Sequence, residues 1–178
     1  REGYPDWILL KKGDVWESPT RINIRSGRSY SERSVFSSYG ASPQRPMIKS
    51  EDKFGFRIWS EINFVAIVGI SLYAERRDPN SPEFLGWGNI EDQIGIYMYQ
   101  SPDETKTSIL LEDNEINFFS TGVTITGSGY VIDTVVRRNI IRNSYSESSH
   151  SQGMYAIRAS VLLEENIFDH NGWYKQQI

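Results

Sequence analysis

The side chains best suited to proton transfer in this sequence are two histidines, His150 and His170, because imidazole changes charge close to physiological pH. Both lie in the segment from Arg137 to Trp173. His150 sits in Ser148-Ser-His-Ser-Gln152, just ahead of Gly153 and Tyr155, and His170 sits in Asp169-His-Asn-Gly-Trp173. Arg137 and Arg142 belong to the same segment. A base that removes a proton beside a carboxylate, a phenol that returns one, and an arginine that neutralises the acid are the parts a β-elimination needs. The expected catalytic set is therefore His150, Tyr155, His170, Arg137 and Arg142. Tyr97, Trp87, Arg138, Asp169 and Trp173 are the expected substrate contacts. The plainer alternative makes His150 a solvated turn residue, His170 polar support for a turn, and Trp87 (flanked by Gly86 and Gly88) a loop residue packed on the body.

Other chemistries find less support. There is no cysteine, so no disulfide and no thiolate metal site. Asp92, Asp113 and Asp133 are available carboxylates for calcium, but no spacing motif joins them, and no cofactor is expected. Gly127-Ser-Gly129 lacks the Lys-Ser/Thr and helix of a phosphate loop. With 19 basic and 23 acidic residues the net charge is −4, which argues against bulk nucleic-acid or anionic-membrane binding. No apolar run of about 18 residues exists to span a bilayer. A chain 38% hydrophobic and 13% aromatic is too apolar for disorder. It starts at Arg1 without a leader, so a trimmed mature protein or a fragment is expected.

The elements that must position these residues are read from a repeat. Ile109-Leu-Leu-Glu-Asp-Asn114-Glu-Ile116, Thr134-Val-Val-Arg-Arg-Asn139-Ile-Ile141 and Val161-Leu-Leu-Glu-Glu-Asn166-Ile-Phe168 align without gaps, their asparagines 25 and 27 residues apart. Interleaved with them run Gly95-Ile-Tyr-Met, Gly122-Val-Thr-Ile and Gly153-Met-Tyr-Ala, with glycines 27 and 31 apart. Phe64–Leu72 resembles the asparagine strands with its register uncertain by one residue, and Met47-Ile48 and Ile58-Trp59 are candidate earlier strands. The runs are rich in Val, Ile and Thr and carry no 3.6-residue stripe. Short parallel strands in stacked coils, about 4.8 Å apart, fit this pattern. Asn114, Asn139 and Asn166 then form a ladder at a tight bend that asparagine tolerates. Glu112, Arg137, Glu164 and the adjacent Asp113, Arg138, Glu165 alternate in sign, so each arginine is expected between two carboxylates. Tyr97, Thr124 and Tyr155 should share one outer face, opposite Ile96, Val123 and Met154. The polar stretch from Glu75 to about residue 93 should leave the coil path as an insertion.

These repeats resemble the right-handed parallel β-helix proteins of the pectate-lyase-like superfamily over Phe64–Trp173. Pro5-Asp-Trp-Ile-Leu-Leu-Lys-Lys-Gly-Asp14, Ser26-Gly-Arg-Ser29, Ser38-Tyr-Gly40 and Arg45-Pro46 are similar to the opening coils of an uncharacterised bacterial branch. The fold class implied is all-β, a right-handed single-stranded parallel β-helix over residues 1–178, with five or six coils and an incomplete last one. That would be the front of a longer helix, with further coils of the same chain as its neighbour. The resemblance implies a secreted or cell-surface bacterial protein that binds or processes polysaccharide, by lyase or hydrolase chemistry if it is an enzyme. A non-catalytic structural, adhesive or receptor-binding stalk is the alternative, since this fold hosts many functions. The clustered aspartates of calcium-dependent lyases and the Asn-Thr-Asp and Asp-Asp motifs of pectinase-type hydrolases are missing from the sequence.

Overall fold

The computed structural model describes residues 5–59, 62–147 and 150–173. Among the described residues, seventeen short strands fall into three parallel sheets, each taking every third strand. Sheet A holds Trp7–Lys11, Ser34–Tyr39, Val65–Val68, Thr105–Glu112, Tyr130–Arg137 and Ala159–Glu164. Sheet B holds Val15–Ser18, Met47–Ser50, Ser71–Tyr73, Glu115–Asn117, Ile140–Arg142 and Ile167–Asp169. Sheet C holds Ile22–Asn23, Phe54–Ile58, Ile94–Gln100, Thr121–Gly127 and Gln152–Ala156. The chain is thus an all-β parallel solenoid of about six coils. Ser148 and Ser149, in the serine-rich segment before Gln152, lie outside the described residues.

The register matches the sequence alignment. Ile109 pairs with Thr134 and Thr134 with Val161; Leu111 pairs with Val136 and Val136 with Leu163. The coil at Phe64–Leu72 pairs Val68 with Glu112, which puts Ile70 in the asparagine column. Inside, Ile67, Leu111 and Val136 from sheet A meet Leu72, Ile116 and Ile141 from sheet B and Ile96, Val123 and Ile125 from sheet C, all buried. Each such side chain contributes roughly 1.5–3 kcal/mol on burial.

Two polar columns hold the corners. Between sheets A and B, the Asn114 Nδ2 donates to Asn139 Oδ1 (3.1 Å), and the Asn139 Nδ2 to Asn166 Oδ1 (3.0 Å). The same oxygens accept the backbone N–H of the preceding coil: Ile70 N on Asn114, Asn114 N on Asn139, Asn139 N on Asn166. The left-handed residue of this bend is the one before the asparagine: Gly69, Asp113, Arg138 and Glu165 all have φ between 52° and 71°. The asparagine is chosen for its paired donor and acceptor, and not for its backbone conformation. A second column lies after sheet B, where Phe118, Asn143 and His170 are left-handed. There Asn143 Nδ2 donates to Asn117 Oδ1 (2.9 Å), and the His170 Nδ1 lies 2.9 Å from Asn143 Oδ1.

Glycines form a third column. A Cβ on Gly95 would lie 2.6 Å from the carbonyl oxygen of Gly122, and one on Gly122 would lie 2.5 Å from that of Gly153. Gly55 stands in the same relation to Gly95, at 2.6 Å, so Phe54-Gly-Phe-Arg57 is a fourth member of the glycine series. Only a residue without a side chain lets the coils approach there.

The charged columns are cross-wired. Glu112 takes both Arg137 (2.8 Å) and Arg138, and Arg138 rather than Arg137 reaches the last coil, at Glu165 (3.5 Å). Asp113 is claimed by Arg45 from an earlier coil (2.6 Å). The expected simple alternation therefore gives way to a fork, because two arginine side chains converge on the better-covered carboxylate. Burial alone would raise the Glu112 carboxyl, but hydrogen bonds from the two arginines outweigh it and hold it below the usual range.

Between Ser71–Tyr73 and Ile94–Gln100 the chain makes a short 3-10 turn, Glu75–Arg77, and a loop folded back on the body. Its anchor is Arg77, a buried cation. Its guanidinium donates to the carbonyls of Phe118 (2.9 Å), Glu91 and Tyr145 and lies 4.6 Å from the Tyr145 ring. No helix among the described residues is long and apolar enough to cross a membrane.

Substituting Asn139→Ala strands the Asn114 N–H and the Leu111 carbonyl inside the bend, a loss of roughly 3 kcal/mol to be read in urea unfolding. A loss no larger than that of an exposed alanine substitution would show that the ladder adds nothing to stability. Gly122→Ala should cost about 2–3 kcal/mol by overpacking, measured the same way.

Candidate functional site

The expected site residues separate onto different faces. Arg137 and Arg138 sit at the A–B corner, both paired with Glu112. Arg142, at the end of a sheet B strand, is paired with Glu115, and its strand neighbour in the next coil is Asp169. His170 stacks on Trp173 (5.3 Å, 14°) and belongs to the second polar column. Trp173 is only 6% exposed and stacks on Tyr145 at 4.2 Å. Trp87 packs edge-on against Tyr145 (5.6 Å), Trp173 (6.5 Å) and Phe84 (5.2 Å), and the Gly88 N–H donates to the Glu147 carboxylate at 2.7 Å. These contacts fasten the insertion to the solenoid. The structure brings His150, from the connection ahead of the Gln152–Ala156 strand, together with Tyr155 of sheet C, and Tyr97 lies in register on the same sheet face.

Sheet C owes its outer face to strand alternation. Phe56, Ile96 and Val123 turn inward, as do Ile58, Met98 and Ile125. The residues between them form an outer row, Arg57–Tyr97–Thr124–Tyr155, and a second outer row continues through Tyr99 and Thr126. On this face Phe54 stacks on Tyr97 (4.6 Å, 20°) and Trp59 stacks on Tyr99 (4.4 Å, 18°), while Tyr97 and Tyr99 lie 6.5 Å apart and nearly parallel. Lys53 sits 5.8 Å from the Phe54 ring and Arg57 sits 5.1 Å from the Trp59 ring. The four rings make one aromatic surface, and Trp59 is 41% exposed. Burial, with the neighbouring Tyr99, pushes the Tyr97 phenol up.

One coil further on, the aromatics give way to threonines and the face dips. Thr121, Thr124, Gln152, Tyr155 and His150 line a cavity of about 280 Å³. Thr124 is its covered floor, and Tyr155 is an exposed wall. His150 joins this lining from the B-to-C connection that leads into the Tyr155 strand. None of these described lining residues is Asp, Glu, Lys or Arg, and no group of three or more His, Asp or Glu among the described residues could hold a metal ion. The arrangement offers ring surfaces and hydroxyl, amide and imidazole groups for hydrogen bonding. A pair of carboxylates, which acid–base glycoside hydrolysis uses, does not line it.

Sequence reasoning found Tyr97, Thr124 and Tyr155 through the glycine series, and missed Phe54, Arg57, Tyr99, Thr121 and Gln152 as surface groups. The signal for the first two was present: Phe54-Gly-Phe-Arg57 fits the series, but the insertion stretches its distance to Gly95 beyond the other spacings.

A buried amine supports the platform from behind. Lys106, on sheet A and fully buried, donates from Nζ to the carbonyls of Trp59 (2.8 Å) and Ile62 (2.9 Å). It thereby fixes the chain that carries the Trp59 ring. Comparison of the chain with protein-family models, curated proteins and solved structures finds no match to any of them. The fold itself defines the class, a parallel β-solenoid with an aromatic outer face on one of its three sheets.

Burial pushes the Lys106 amine down to about 8, against the attraction of Glu104. The unfolded chain keeps this proton up to the ordinary value of 10.5, so between these limits it binds more protons than the folded one. Stability should therefore rise with pH through that window, until the tyrosines begin to ionise in the unfolded chain near about 10. Melting temperatures from pH 8 to 10 should climb in the wild type and stay flat in Lys106→Met; an equal climb in both would assign the effect elsewhere.

Proposed function

We propose that this chain is a saccharide-binding β-solenoid domain, right-handed and of the pectate-lyase-like type, that works at a bacterial cell surface or after secretion. Its binding surface is the outer face of sheet C. The observation that carries the reading is the cluster of Phe54, Trp59, Tyr97 and Tyr99 stacked on an open sheet face. Aromatic ring faces carry partial negative charge, and the C–H bonds on one face of a sugar ring are weakly positive, so the two attract as apolar surface is buried. The hydroxyls beside them find donors and acceptors in Thr121, Thr124, Gln152, Tyr155 and His150.

Binding is favoured over turnover. An elimination needs an acid-neutralising cation beside the base, yet Arg137 and Arg142 are held by Glu112 and Glu115 away from the His150 cavity. The competing reading is a structural stalk without a ligand. It is supported by the ladders, which give Arg137, Arg138, Arg142 and His170 structural partners, and it leaves the aromatic face unused.

Calorimetry against galactan, mannan, xylan, polygalacturonate and polymannuronate separates the two. Saccharide binding to at least one should weaken by about tenfold or more, equal to about 1.4 kcal/mol, in Trp59→Ala or Tyr99→Ala, with folding retained by circular dichroism. No binding to any of the five would favour the stalk.

A further inference from the structure

The cavity under His150 differs in kind from the aromatic platform beside it. Its described lining is wholly uncharged in residue type apart from the imidazole: two threonines, one glutamine and one tyrosine. Lys53 and Arg57, cations on this face, stand by the Phe54 and Trp59 rings, two coils from Thr124 and three from Tyr155 along the register. Arg57 is further engaged through Nε to Asn23 Oδ1 at 3.1 Å. Arg158, which follows the Tyr155 strand, donates instead to the carbonyls of Gly127 and Ser128. A carboxylate entering this cavity would give up part of its hydration without meeting a described arginine or lysine, and desolvating an unpaired charge is costly.

The cavity is also small. About 280 Å³ lies just below the roughly 300–1,000 Å³ of small-molecule sites, which suits a single ring and not a stretch of chain. Hydroxyl, amide and phenol groups provide both donors and acceptors, as a polyhydroxylated ring requires.

We infer that the cavity formed by Thr121, Thr124, His150, Gln152 and Tyr155 is a subsite for one uncharged sugar ring, and that it selects neutral over uronic-acid units. This rests on the saccharide-binding reading of sheet C. Thr124 is the residue that makes the space. In the same row the coils on either side carry tyrosine, Tyr97 and Tyr155. A tyrosine at 124 would continue that row and fill the dip.

The test uses oligosaccharides of equal length in pairs of the same linkage that differ by oxidation at C6: α-1,4-galactan, made by carboxyl reduction of polygalacturonate, against polygalacturonate itself, and β-1,4-mannan against polymannuronate. In titration calorimetry the neutral member of at least one pair should bind about tenfold tighter than its acidic counterpart, with little change between about 50 and 500 mM salt. Thr124→Tyr should abolish that preference. Gln152→Leu, which keeps the size and removes the amide, should weaken neutral binding while leaving the melting temperature within a few degrees. Tighter binding of the acidic members, or a preference unchanged in both variants, overturns the subsite and leaves the platform standing. Binding of no member of either pair, nor of xylan, overturns the saccharide reading itself and the subsite with it.

Discussion

The structure depends on one constraint: successive coils lie a single strand spacing apart, so every position in a coil has its counterpart directly above and below. A parallel ladder satisfies the backbone only where the chain is extended, and each coil must leave that state at the bends between sheets. There the exposed backbone groups of one coil have to be met by the next. The amides of Asn114 and Asn139 do this by accepting the N–H of the preceding coil while donating to a carbonyl and to the next amide, and Asn166 ends the ladder by accepting the Asn139 N–H and donating to the Val136 carbonyl. The Gly95–Gly122–Gly153 column solves the opposite problem, because there the backbones come so close that no side chain fits between them. Polar partners at one bend and empty space along one strand fix the same register from two sides.

With the register fixed, functional possibilities follow from which outer rows are already committed. At the A–B corner the arginines and acids neutralise one another across coils, and at the B–C corner His170 joins Asn143 and Asn117. Those residues looked reactive by type and are occupied by structure. Sheet C is different: its outer rows hold stacked rings and small hydroxyls, with Lys106 behind them holding the Trp59 carbonyl. Rings and neutral polar groups make up most of that face, with Lys53 and Arg57 beside the Phe54 and Trp59 rings.

Much of the fold was legible because a solenoid writes its contacts locally in sequence. The three asparagine strands aligned without gaps and pair residue for residue as read. Ile70 could not be placed beforehand, since its coil substitutes an apolar residue at the asparagine position and only strand pairing set the register. The left-handed residue was expected to be asparagine and is its predecessor, a difference of one position that depends on backbone torsions. The arginine columns were legible as alternating charge, but their wiring was not, because long flexible side chains reach across positions. The grouping of candidate site residues was the least legible part: neighbours in sequence such as Asp169, His170 and Trp173 end on a different face from His150 and Tyr155.

By itself the sequence determined the repeat, the strand content, the ladder columns and which residues alternate in and out, because those are set by short-range periodicity and by stacking of like upon like. Only the tertiary structure decided that Phe54, Trp59, Tyr97 and Tyr99 form one surface and that Thr121, Thr124, His150, Gln152 and Tyr155 line one open cavity. The physical reason is that these groups meet across coils of unequal length, where the Glu75–Asn89 insertion and the turn carrying His150 change the sequence spacing without changing the rise between strands.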